Sequence, residues 1–223
     1  MMKAPILVLI SSLLLSEPVP RVTLLPVDEA RTDASLVEFR DRLIRVARLR
    51  DLSALLELTT PTAMVTPGVP GDIAQLRQAF FRESAEWLDL FELLQMGGSF
   101  MSQSSERPRF CAPYTYSRFP ELWTLPDGYV GEVDPWVVTG SDVAVRAGPS
   151  LQTPAIARLS HELVRYLESV GPWDQNRPAW VRVLTPRGES GYVHGSLIRS
   201  HDDHHACFEK LEAGWRMVEF FER

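Results

Sequence analysis

Two cysteines and one run of five potential ligands are where this chain offers chemistry. Cys111 sits in Phe110-Cys111-Ala112-Pro113, and Cys207 follows closely on His201-Asp202-Asp203-His204-His205. A thiol becomes a nucleophile only when an imidazole or a helix amino terminus holds it as thiolate. The candidate bases would be His161, His194 and His204. Pro113, two residues past Cys111, favours extended chain over the head of a helix, so a peptidase-like use of Cys111 is the weakest reading. The pair is expected either as a Cys111–Cys207 disulfide or as two separate buried thiols. The His/Asp run is a weak metal signal, because zinc sites draw ligands from separated, rigid elements. It reads as a polar linker whose composition comes from solvent exposure. The sequence carries no nucleophile elbow, phosphate loop or zinc-protease helix motif, so no catalytic residue, metal or cofactor is assigned.

The amino terminus bears on whether a disulfide can form. Met1-Met2-Lys3 precedes an apolar run from Ala4 to Leu15. That length suits the core of an export signal, about 7–15 residues, and falls short of the roughly 20 that span a bilayer. Residues 1–16 are therefore expected to be an export segment, which places the protein in the periplasm or cell envelope and permits a disulfide. A net charge of −6 argues against a nucleic-acid partner, which calls for a basic face. With 45% hydrophobic and 23% charged residues the remainder has the balance of a folded globular protein.

Residues 17–33, rich in proline and charge, read as a linker. Ser35 is expected to cap a helix whose apolar stripe is Leu36, Phe39, Leu43, Val46 and Ala47, with Arg40, Arg42, Arg45 and Arg48 on a solvated face. Asp51 caps a second helix over Leu52 to Leu58, ended by Pro61. Asp72 opens the stripe Ile73, Leu76, Phe80 and Phe81, and Ser84 a further helix through Trp87 and Phe91 to Gly97-Gly98. The fold class expected is α+β: a mainly helical outer domain, 34–135, is completed by a β-hairpin over 204–223 with its turn at Gly214. The segment 136–200 between them forms a second domain.

Within that segment Val143, Val145 and Arg146 lead into Gly148-Pro149-Ser150, Trp180 and Val183 follow, and Gly191-Tyr192-Val193 runs on to Ser196 and Leu197. This order resembles the bacterial SH3-like domain, and the resemblance implies a small β-barrel inserted in, or joined to, the outer domain. It also implies an aromatic face, formed by Tyr166, Trp173, Trp180 and Tyr192, that would receive a protein segment or a cell-wall peptide. The helices, Gly97-Gly98-x-Phe100 and the closing Gly214-x-x-Met217 strand resemble exported bacterial proteins with an SH3 domain, whose outer part is similar in outline to nuclear transport factor 2-like folds. Such cones can enclose a small-ligand pocket, for which Trp87, Phe91 and Trp215 are the candidates. The expected function is binding rather than catalysis.

Overall fold

The computed structural model describes residues 21–66, 69, 71–81, 84–101, 107–119, 135–174 and 176–221; residues 1–16, expected to be an export segment, lie outside these. Among the described residues no helix is long and apolar enough to cross a membrane. Strand accounts for 40% of them and helix for 29%, so the chain is α+β, with its α-helices all before residue 120 and most of its strands after residue 134.

Helix α1, Ala34–Leu49, buries Leu36, Phe39, Leu43, Val46 and Ala47, the stripe its sequence spacing requires. Its cap is Asp33 rather than Ser35: the Asp33 carboxylate accepts the amides of Ser35 at 2.8 Å and Leu36 at 3.2 Å. Ser35 is thereby free to accept the Trp215 indole N–H at 3.2 Å. Asp51 and Asp72 cap α2, Leu52–Glu57, and α3, Ile73–Ala79, as expected. Helix α4 runs Glu86–Gln95 without a side-chain cap, ending before Gly97, whose φ of +73° suits glycine.

Two sheets follow from the pairing. Strands β1 (Thr59–Met64), β2 (Ser99–Phe100), β3 (Arg109–Ala112), β11 (His205–Leu211) and β12 (Gly214–Phe221) lie in the order β1-β12-β11-β3-β2. The β11–β12 hairpin forms as expected, and α2 ends before Thr59 as expected, but the residues that follow it form strand β1, which was not foreseen. Pro61 is tolerated because β1 is an edge strand, paired only with β12. α1 and α4 cover this sheet through one core, in which Phe39 meets Phe208 edge-on at 5.6 Å and Phe80 meets Trp87 at 4.9 Å and Phe220 at 4.6 Å. A four-residue helix, α5, spans Tyr114–Ser117.

Between β3 and β11 the chain builds the second sheet, a curled half-barrel in the order β10-β4-β7-β8-β9-β5-β6. Its strands are β4 (Pro135–Val138), β5 (Val143–Arg146), β6 (Ala155–Leu159), β7 (Leu163–Asp174), β8 (Arg177–Leu184), β9 (Ser190–His194) and β10 (Ile198–Ser200). β7, β8 and β9 form an antiparallel meander, a 3-10 turn follows at Gly195–Leu197, and β10 returns to pair with β4. Trp136, Val143, Val145, Val164, Val181, Val183, Val193 and Ile198 fill its concave side.

The stretch 21–33 is not a loose linker. Thr23 bridges to Glu162, the Leu24 amide donates to the His161 carbonyl at 2.8 Å, and Leu24 is buried with Tyr114, Val137 and Leu163. Further along, Asp28 grips Arg40 of α1 at 2.5 Å. Burial pushes the Asp28 carboxyl up, but Arg40 and Arg31 hold it below the usual carboxylate range. Backbone pairing and apolar contact thus lay this segment along the seam between the two sheets.

Cys111 and Cys207 oppose each other across β3 and β11, with Cα atoms 4.1 Å apart, and are joined in a disulfide. The bond is placed where the chain leaves the first sheet and where it comes back.

Candidate binding surface and the buried junction

Strict alternation sorts the side chains of the curled sheet. Along β8 and β9, Val181, Val183 and Val193 point into the core, while Trp180, Arg182, Tyr192 and His194 take the outer face and are half-buried. β5 repeats the rule, with Val143 and Val145 inside and Arg146 outside. Trp180 lies opposite His194, their rings edge-on at 5.3 Å, and Tyr192 lies opposite Arg182 on one side and Arg146 on the other. One patch therefore gathers two aromatic rings, an imidazole and two guanidinium groups.

Four aromatics were expected together, and all four lie on β7, β8 and β9, though not on one face. Trp173 pairs with Pro178, two positions from Trp180, and is 56% exposed near the hairpin tip. Tyr166 is displaced from the group: it stacks on Trp136 at 4.9 Å on the inner side. A register shift between Tyr166 and Glu168 turns the strand over, so Tyr166 opposes inward Val183 while Glu168 opposes outward Arg182. The unexpected members, Arg146, Arg182 and His194, were legible from the period of two: the pattern V-x-V-R and the run Trp180-Val181-Arg182 place them opposite to the valines.

The tip of the β7–β8 hairpin meets α4 in a junction of buried charge. Asp89, 2% exposed, accepts from Asn176 Nδ2 at 3.2 Å and from Arg177 at 3.3 Å, and Arg177 also pairs with Glu92. His204 Nε2 is 3.7 Å from Asp89, and Arg199 donates to the His204 carbonyl at 3.1 Å. Burial pushes the His204 imidazole below its ordinary value; Asp89 pulls upward and Arg199 repels the added proton. The junction joins four separate pieces of chain: α4, the hairpin tip, β10 and the segment leading to β11.

That arrangement corrects the reading of the His/Asp run as a solvated linker. His204 is 4% and His205 5% exposed. His205 stacks on Tyr116 and its Nε2 lies 3.1 Å from Glu219, a carboxylate also held by Arg109. Burial pushes the Glu219 carboxyl up, yet His205 and Arg109 hold it below the usual range. His201 stacks on Phe119. The three histidines meet partners from distant elements, a cause invisible in local composition, while Asp202 and Asp203 bond to the nearby Ser200 and Asp202 stays exposed. Among the described residues no three His, Cys, Asp or Glu side chains converge as a metal set.

The thiol and pocket readings also meet geometry. Cys111 Sγ is bonded to Cys207 and buried, so it presents no thiolate. Trp87 is 1% exposed, with its N–H donated to the Phe81 carbonyl at 2.9 Å, and Phe91 lies under Arg48, 5.9 Å from its guanidinium carbon. Trp215 borders an open cleft of about 400 Å³ together with Phe39, Arg42, Arg45 and Arg216. Trp87 and Trp215 belong to one packed core, with Phe91 against it, and among the described residues no enclosed cavity is lined by the three together.

Fold and surface define an α+β protein of two sheets, the first crosslinked by one disulfide and the second carrying an aromatic and basic outer face. No family model, curated protein or solved structure matches this chain.

Proposed function

We propose that the chain is an exported, non-enzymatic binding protein of the cell envelope whose curled sheet is an SH3-like module receiving an extended protein segment or cell-wall peptide. The observation that carries this reading is the outward pairing of Trp180 with His194 beside Tyr192. Half-buried flat rings on a rigid sheet receive an extended peptide at little entropic cost, since neither partner has much freedom left to lose. The SH3-like identity is supported by the β7–β8–β9 meander, the 3-10 turn and the return of β10 to β4. Export is supported by the disulfide, a bond favoured in oxidising compartments. Outside the curled sheet, the first sheet and its helices serve to hold the hairpin through the Asp89 junction.

Retention of the full chain on purified cell-wall sacculi tests the reading, with Trp180→Ala and Tyr192→Ala compared with the parent after circular dichroism shows each folded. Loss of retention in both variants is expected. Equal retention by folded variants would place binding elsewhere.

A further inference from the structure

Tyr192 stands between two arginines, and one of them already holds a carboxylate. Arg146 of β5 and Arg182 of β8 are its direct neighbours across the ladder, so the three side chains leave one face with Cβ atoms about 4.5–5.5 Å apart in each pair. Arg146 gives one N–H to the Thr153 carbonyl at 2.7 Å. Arg182 gives its Nε to Ser190 Oγ at 3.1 Å, which fixes the plane of the guanidinium, and an Nη to Glu168 at 3.0 Å. Arg182 and Glu168 are 42% and 52% exposed. An ion pair this open to water is held weakly, so its carboxylate exchanges readily for another.

The remaining charges of the face do not fill the arginines. Glu168 is the acid paired with Arg182; Arg158 on β6 is occupied by Asp142 at 2.8 Å, and His194 Nδ1 lies 2.8 Å from Ser196 Oγ. A planar guanidinium beside an aromatic ring suits a carboxylate, which it can bind through parallel N–H donors. On a chain of net charge −6, such a patch is a local reversal of sign.

From this arrangement we infer that the outer face selects an extended peptide bearing carboxylate side chains, whose carboxylate replaces Glu168 at Arg182 while its backbone lies across Tyr192 and Trp180. The inference rests on the binding role proposed above and names the chemistry of its ligand. Glu168 is then a resident competitor, and Arg146 a second contact for an acidic side chain further along the peptide.

The test uses the full oxidised chain and three fluorescent peptides of one proline- and glycine-rich backbone, carrying Glu, Lys or Gln at the variable positions. Anisotropy titrations are expected to give acidic binding at least about tenfold tighter than neutral, and neutral tighter than basic. Arg182→Gln and Arg146→Gln should each weaken the acidic peptide about five- to tenfold and leave the neutral one unchanged. Glu168→Gln should tighten the acidic peptide about threefold, a sign opposite to that of a merely structural residue. Equimolar glutarate should leave the acidic peptide bound; its displacement would overturn the peptide requirement. Binding that depends on Trp180 but ignores peptide charge, or that weakens in Glu168→Gln, overturns the carboxylate selectivity alone. Failure of all three peptides to bind the parent overturns the binding role and the selectivity together.

Discussion

One hairpin carries two arginine–carboxylate pairs that serve opposite purposes. At its tip Arg177 meets Asp89 and Glu92 in a junction where Asp89 is 2% exposed, while on its stem Arg182 meets Glu168 with both side chains about half in water. Breaking the first leaves a charge stranded in a low-dielectric interior. Breaking the second merely returns two ions to solvent. The same residue types therefore fix position at one end and remain open to exchange at the other. Burial decides which.

The largest expected effect comes from the bond that brings the junction's pieces into reach. Replacing both cysteines by alanine opens a loop of 96 residues, and the chain-entropy model puts the loss at about 4–5 kcal/mol. Urea denaturation of Cys111→Ala/Cys207→Ala beside the parent measures it. A loss confined to the first sheet, with the curled sheet unfolding at its old midpoint, would show that the two regions do not depend on each other.

Next is the junction itself. Asp89→Ala removes the acceptor shared by Asn176 and Arg177 and strands Arg177 against Glu92 alone, an expected loss of about 3 kcal/mol. Hydrogen exchange across β7 and β8 should report it, with protection falling first at the hairpin tip. Glu168→Ala on the stem should leave that protection intact.

A smaller effect is set by pH. With its imidazole pushed down by burial, His204 binds a proton less readily folded than unfolded, so the unfolded chain gains the proton first as pH falls through about 6.5. Stability due to His204 is thus present above pH 6.5 and is lost toward the lower folded value. The carboxyls of Asp28, Asp33 and Glu219 are shifted down, Asp33 chiefly by Lys210 and Ser35. Their contribution is present above their unfolded values and is lost only on further acidification, below about pH 4. The melting temperature of the parent should fall between pH 7 and 5.5 more steeply than that of His204→Gln. Parallel slopes would remove the junction from the pH dependence.

How far these two regions could be read from the sequence follows from the range of the forces that build them. The α1 stripe was legible because a period of 3.6 lies within one element, and the outward set of Trp180, Arg182 and Tyr192 because a period of two does. Tyr166 was misplaced because the register shift that turns it inward is a property of two paired strands. Strand β1 was missed for a related reason: its partner β12 lies some 150 residues on in the chain, and Pro61 disguises it. Asp89, Arg177 and His204 come from three distant segments, and no spacing rule joins them. The seam laid down by residues 21–33 depends likewise on backbone bonds to His161 and Leu163.

The smallest stability effect should accompany the sharpest functional one. Arg182→Gln removes an exposed pair whose contribution is about 0–1 kcal/mol, so its denaturation midpoint should stay close to that of the parent. Acidic-peptide affinity should nevertheless fall severalfold, because a ligand carboxylate pressed against Tyr192 loses water that Glu168 keeps. Arg177→Gln should show the reverse balance, a clear loss of stability at unchanged peptide selectivity in the fraction that stays folded. Measuring midpoint and affinity on both variants places each arginine on its own axis. If Arg182→Gln unfolds as readily as Arg177→Gln, the stem pair is structural after all, and burial has ceased to be the variable that separates the two ends of the hairpin.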